Sequence, residues 1–294
     1  MESPSAECLT MGHLGKCAAP LASSKLRKED TPMELGIKNK VALIAGASQG
    51  IGRATALTFA AEGAHLALCA RNRTALDAVA DEARERFNVS VYVEPVDVEE
   101  TDALQAFVSH AANELGRVDI CVPNAGGPPA KPFLETTIED WERAWHLNLR
   151  SAIVLAQAVL PGMVERRWGR IVTLTSYTVK QPVPELVLSN TIRAGILGLV
   201  RSLAGQFGKD GITVNNVGPG FTETARSRQL LEQRAQSRGL PFDQVRHELE
   251  REIPIGRMAS PEEVAGTIVW LASELAASIT GQTVLVDGGS YKGT

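Results

Sequence analysis

Between Val41 and Val286 short apolar runs alternate with helical segments, and this alternation constrains the fold more than any other feature of the chain. Val41–Ala45, His65–Cys69, Ser90–Val96, Asp119–Val122, Arg170–Thr175, Thr213–Val217 and Thr283–Val286 read as strands. Strands buried on both faces show continuous apolar runs of this kind. Ile51–Glu62, Thr74–Phe87, Thr101–Leu115, Ile138–Val164, Ser189–Phe207 and Pro261–Ala272 read as helices. In the third helix Leu104, Phe107, Val108, Ala111 and Leu115 recur at three- and four-residue spacing, which makes one apolar face. Ser260 and Pro261 supply an N-cap and a first helical residue for the last one. Repeated β-α units of this length predict an α/β chain, doubly wound around a seven-stranded parallel sheet. Ligands of such sheets bind at the carboxyl ends of the strands.

The loop after the first strand reads Gly46-Ala-Ser48-Gln49-Gly50-Ile51-Gly52 and opens the first helix. Glycines there let backbone N–H groups approach a diphosphate, and the helix N-terminus adds partial positive charge. A dinucleotide site is therefore expected. An NAD site usually carries an acid about 20 residues further on, for the ribose 2′-hydroxyl. This chain instead reads Cys69-Ala-Arg71-Asn72-Arg73. Arg71 and Arg73 suit a 2′-phosphate, which guanidinium groups grip in a forked geometry, so NADPH is expected over NADH.

Charge excludes one class of partner. Thirty basic and 34 acidic residues leave a formal net charge of −4 over 294 residues, without the basic excess that marks nucleic-acid proteins. Cys8, Cys17, Cys69 and Cys121 show no metal-ligand spacing and are expected as free, mostly buried thiols of a reducing, cytoplasmic setting. The longest apolar run, around Ile153–Val164, is interrupted by Gln157, Pro161 and Gly162, so no membrane span is expected. Residues 1–35 mix Pro, Ser, Gly, Lys and Glu without period or apolar h-region. They read as a flexible or dispensable extension to a single domain over 36–294.

Further marks, in order along the chain, resemble the short-chain dehydrogenase/reductase family from about Lys38 to Gly289. They are the glycine loop, with Ala45 where threonine is commoner; Asp97-Val98 after the third strand; and Asn124-Ala125-Gly126 after the fourth, with Pro123 where asparagine is commoner. Asn148, Ser176, the loop Pro219-Gly220-Phe-Thr222-Glu-Thr224 and Val286-Asp-Gly-Gly289 follow. The resemblance implies a Rossmann-like fold, hydride transfer on a small-molecule substrate, and an active site containing Asn148 and Ser176. It implies that Asp97 meets the adenine and that Pro219–Thr224 lie by the nicotinamide.

The family's catalytic Tyr-x-x-x-Lys is followed by Ala-Gly. Here the corresponding stretch is Ser189-Asn-Thr-Ile-Arg193-Ala-Gly195. The resemblance therefore places Ser189 and Arg193 where the family keeps the tyrosine that donates a proton and the lysine that assists it. Serine is a far weaker acid than a phenol, and arginine stays protonated. Both residues lie one turn apart on one helix. Three readings remain open. The chain is a ketoreductase (3-oxoacyl or similar) in which Ser176, Ser189 and Arg193 polarise a carbonyl and water supplies the proton. It reduces the C=C bond of an enone, whose developing enolate needs only stabilising donors. Or it binds NADP(H) without redox turnover. Tyr177 and Lys180, just beyond Ser176, offer a substitute acid or a plain substrate-loop aromatic.

The polar segment at about 222–253, broken at Gly239-Leu-Pro241, reads as a lid of two short helices. Its many charges read as a solvated face rather than a grip on a carboxylate. Family members associate through the helices matching Ile138–Val164 and Ser189–Phe207, so a homo-oligomer, dimer or tetramer, is expected.

Overall fold

All seven apolar runs pair side by side in parallel, in the order β3-β2-β1-β4-β5-β6-β7. The structure is a computed structural model and describes residues 34–293. In chain order the elements that place the site are β1 (Val41–Ala45), α1 (Gly50–Ala61), β2 (His65–Ala70), α2 (Arg73–Phe87), β3 (Val91–Pro95), α3 (Thr101–Leu115) and β4 (Ile120–Val122). They continue with α4 (Ile138–Ala144), α5 (Ser151–Arg166), β5 (Gly169–Leu174), α6 (Val187–Phe207), β6 (Ile212–Pro219), α7 (Ala225–Arg238), α8 (Phe242–Glu252), α9 (Pro261–Leu271) and β7 (Thr283–Val286).

The two-residue period of the strands divides the core between the sheet's faces. Ala42 and Ile44 of β1 join one apolar cluster with Phe59 of α1, Leu76 and Val79 of α2, and Ile268 of α9. Leu43 and Ala45 join the other, with Leu104 and Phe107 of α3, Leu155 and Met163 of α5, and Val200 of α6. The sheet is thus covered on both faces, as a Rossmann-like doubly wound sheet requires. Strand order reverses between β1 and β4, and a crevice opens at such a switch point.

Local chemistry sets several boundaries. Asn72 caps α2 by accepting from the Ala75 N–H at 3.0 Å. Ser260 and Glu263 form a reciprocal capping box at α9, with Pro261 at its first position. Packing begins earlier than the extension predicted over 1–35. Leu35 lies against the core and its carbonyl accepts from Glu274 N. The remainder of that extension, with Cys8 and Cys17, lies outside the described residues.

The expected helix Ile138–Val164 is α4, a π-helical turn over Trp145–Arg150 and α5 in unbroken succession. Pro161 lies inside α5 without ending it. Contrary to the sequence expectation, these 29 residues are long and apolar enough to cross a membrane, yet half of the qualifying window is buried within the fold. That burial is what a core helix of this sheet shows.

Candidate active site

A cavity of about 760 Å³ opens where β1 and β4 part. Its floor is the glycine loop, with Gly46, Ser48, Gln49, Gly50, Ile51 and Gly52 all lining it. Gly46 has φ +60°, a left-handed conformation that glycine adopts without strain. At Gly52 a Cβ would stand 2.1 Å from the Gly46 carbonyl oxygen and 2.9 Å from Asn124 Nδ2, so no side chain fits there. No side chain caps the first turn of α1, which leaves its leading N–H groups for a ligand. This backbone cradle fits a dinucleotide diphosphate.

The end of β2 separates the two arginines. Arg71 lines the cavity, 70% exposed, with Asp97 3.9 Å away as its charged neighbour. Asp97 and Val98 line the same end. Arg73 does not. It is the first residue of α2 and its Nε donates to Asp77 at 2.8 and 2.9 Å, one turn along. Of the expected pair, Arg71 alone lines the cavity.

At the other end, polar side chains tie the strand ends together. Asn124 Nδ2 donates to the carbonyls of Ala45 (3.1 Å) and Gly46 (3.3 Å), joining β4 to β1. Buried Asn148 sits in the π-helical turn and donates to the Gly126 carbonyl at 2.9 Å. Such turns often mark functional positions. Arg193, 6% exposed on α6, donates from Nη1 to the carbonyls of Thr175 (2.6 Å) and Leu174 (3.2 Å). Its Nη2 donates to Gly126 (3.2 Å) and Ala125 (3.3 Å). Burial, then the charge of Arg226, pushes its pKa down to about 10. Ser176 follows β5 and lines the cavity, and its Oγ accepts from Thr178 N at 3.2 Å. The Ser176 O–H therefore remains free to donate. Asn124, Ala125, Gly126, Pro219, Gly220, Thr222 and Thr224 complete the wall.

Two of the expected site residues, the carbonyl-polarising Ser189 and the substitute acid Tyr177, are absent from this wall. Ser189, near the start of α6, is half-buried. Tyr177 is turned away by the short 3₁₀ turn that Ser176 caps. It lines a separate cavity of about 340 Å³ with Phe221, Leu249 and Ile253. Burial raises its pKa, which makes it a weaker acid still. The Lys180 ammonium lies over the Tyr291 ring, 5.6 Å from its centroid.

The model described as Enoyl-(acyl carrier protein) reductase matches residues 46–291. The chain belongs to the short-chain dehydrogenase/reductase family. It is 32% identical over 259 residues to the 3-oxoacyl-(acyl-carrier-protein) reductase of Aquifex aeolicus, covering 88% of this chain and all of that one. The L-sorbose reductase of Gluconobacter frateurii, solved with NADPH and L-sorbose, superposes with a TM-score of 0.85 at 35% identity, over 89% of this chain and 100% of that one. An NADPH-bound short-chain oxidoreductase of Pseudomonas aeruginosa, described as containing an atypical catalytic centre, superposes with a TM-score of 0.81 at 34% identity. That match spans 88% of this chain and 99% of that one.

In this short-chain dehydrogenase/reductase the wall also contains residues the motifs did not single out, among them Glu99, Asp140, Arg143 and Arg226. Glu99 lies two positions past Asp97, and Asp140 and Arg143 lie on the helix leading to Asn148, so proximity to motif residues was the available signal. Arg226 is the second residue of α7, where Thr224 caps the helix by accepting from Ser227 N at 3.2 Å. Its Nη2 donates to the Pro128 carbonyl at 2.7 Å, so α7 reaches across to the loop after β4. α7 and α8 share a small apolar core of Leu231, Ala235, Val245 and Leu249.

Proposed function

We propose that this protein is an NADPH-dependent carbonyl reductase of the ketoreductase kind, working without the family's tyrosine. The observation that carries the reading is the meeting of Ser176 and Arg193 in one cavity with the dinucleotide cradle. When bound, NADPH supplies the hydride that turns a carbonyl into an alcohol. The glycine loop and the N-terminus of α1 hold its diphosphate, and Arg71 holds the 2′-phosphate. Thr222, Thr224 and Pro219–Gly220 border the nicotinamide end.

Ser176 donates its free O–H to the substrate oxygen, while the buried Arg193 charge stabilises developing negative charge. Arg193 does this from a fixed position, since backbone carbonyls accept from both of its terminal nitrogens. The proton comes from solvent. Ser189 and Tyr177 do not line the cavity, and the buried Oδ1 of Asn148 has no protein partner, the setting in which an ordered water bonds. Ser189 and Arg193 stand in the register of the family's tyrosine and lysine. The Pseudomonas oxidoreductase with an atypical catalytic centre supports such a departure within the family.

Residues 222–253 form the substrate lid of the domain over 36–294, a role supported by the Arg226 contact across the cleft. Homo-oligomers form through α5 and α6, as a dimer or tetramer, supported by the exposed small residues Ala194, Gly195 and Gly198 on α6. A reducing, cytoplasmic setting is supported by the free, buried Cys69 and Cys121.

Incubation with NADPH and paired ketones and enones, with products identified by NMR, tests the reading. Alcohol products are expected. A saturated ketone from an enone identifies conjugate reduction instead, the activity named in the matching family description. Tight NADPH binding without turnover of either series makes this a binding protein.

A further inference from the structure

Three carboxylates line the main cavity, and each already faces a cation. Asp97 lies 3.9 Å from Arg71, Glu99 3.5 Å from Arg143, and Asp140 2.7 Å from Lys131. Two more cations line the same cavity, Arg193 and Arg226. Among the described residues neither has a carboxylate within 4.0 Å; their recorded partners are backbone carbonyls and, for Arg226, the Gln229 amide oxygen. Arg193 is 6% exposed and its Nε has no partner. Arg226 is half-buried.

The two guanidinium groups hold the same short segment. Arg193 Nη2 donates to Gly126 and Arg226 Nη2 to Pro128. Arg226 Nε lies 3.7 Å from the place a Cβ would take on Gly127. Like charges brought together and taken out of water are unfavourable unless a counter-charge joins them. Burial first, and the Arg226 charge after it, lower the Arg193 pKa.

We propose that the substrate is an oxo acid whose carboxylate binds at Arg226, within the field of Arg193. This rests on the carbonyl-reductase reading and names its substrate class. Arg226 supplies forked donors to the carboxylate, and Ser176 in the same cavity receives the carbonyl to be reduced. Because Arg226 belongs to α7, the bound anion also joins the α7–α8 pair to the loop after β4. A dinucleotide diphosphate offers the same anionic chemistry, and the test separates the two.

The experiment compares 3-oxo acids with their methyl esters, using NADPH and the full chain as wild type, Arg226→Gln and Arg226→Lys. Isothermal titration of the matching 3-hydroxy acid into NADP⁺-loaded protein runs in parallel. Wild type is expected to favour acid over ester in kcat/KM by about 30-fold, the scale of one charge-assisted bidentate contact. Arg226→Gln brings that ratio close to one, and Arg226→Lys retains part of it. A ratio near one in wild type, or one unchanged in Arg226→Gln, overturns the proposal. So does a loss of NADPH affinity in Arg226→Gln that matches the loss on the acid, which assigns the site to the diphosphate. Binding of the hydroxy acid that vanishes in Arg226→Gln, with no carbonyl reduced by wild type, leaves the anion site standing and removes the carbonyl-reductase reading. Absence of acid binding to loaded wild type overturns the proposal whatever the turnover.

Discussion

Arg71→Ala should convert cofactor preference, and the structure sets the size of the effect. The Arg71 side chain is 70% exposed and its charged neighbour, Asp97, is 3.9 Å away. An exposed pair of that length contributes about 0–1 kcal/mol, so recruiting the guanidinium to a ligand costs little. A charge-assisted hydrogen bond to phosphate contributes about 1.5–3 kcal/mol. NADPH affinity should therefore fall about 10–150-fold in Arg71→Ala. NADH lacks the 2′-phosphate, and its affinity should barely change. Arg73→Ala is the control. It removes an exposed i,i+4 pair with Asp77, at about 0.3–0.5 kcal/mol of stability, and should leave the NADPH:NADH ratio where it was. Fluorescence titration with both dinucleotides measures this, at low and at physiological ionic strength, since screening should shrink the Arg71 effect. Equal losses for the two dinucleotides refute the reasoning. So does a shift in preference in Arg73→Ala as large as that in Arg71→Ala.

Arg193→Ala removes the donor shared by four backbone carbonyls. Leaving buried acceptors unpaired should lower unfolding free energy by about 3 kcal/mol, measured by urea denaturation, with Arg193→Lys recovering part of the loss. Gly52→Ala places a Cβ 2.1 Å from a backbone oxygen, so the loop must shift. Stability should drop by about 1–3 kcal/mol, and NADPH titration should show most of the affinity gone. Tyr177→Phe should leave turnover unchanged, because its ring lines the other cavity; a loss of kcat would restore it as the acid. Burial pushes the Cys69 thiol up to about 12 and raises Cys121 as well. The neutral thiol is thereby favoured, and the thiolate is the reactive form. In a Cys8→Ser/Cys17→Ser background, Ellman's reagent should fail to label the folded protein from pH 8 to pH 10 and label it fully in denaturant.

The sheet was legible in the sequence because a parallel strand buried on both faces reads as a continuous apolar run, and Val41–Ala45 and Leu66–Ala70 are such runs. The glycine loop was legible because Gly52 faces a backbone oxygen that no side chain tolerates. What escaped the sequence was the direction of individual side chains. Arg71 and Arg73 flank Asn72, and only its role as helix cap makes Arg73 helical, with Asp77 one turn ahead to pair with. Spacing alone did not show that Ser189 is absent from the cavity wall. Tyr177 directly follows Ser176, yet it opens the 3₁₀ turn that Ser176 caps and lines the other cavity.

Arg226 shows the limit most clearly. Its segment is dense in charges of both signs, and a sequence offers no means of pairing them. The structure does the subtraction. Arg228 pairs with Glu232, Arg238 with Glu248, and Arg246 with both Glu223 and Glu250. These side chains are mostly exposed pairs along and between two helices, the solvated face expected of such a segment. Arg226 differs from them: it is half-buried and lines the same cavity as Arg193, and among the described residues no carboxylate lies within 4.0 Å of it. A cavity whose own acids are already matched can balance that pair only with a charge brought in from outside. The ratio of acid to ester turnover in Arg226→Gln reads that balance directly.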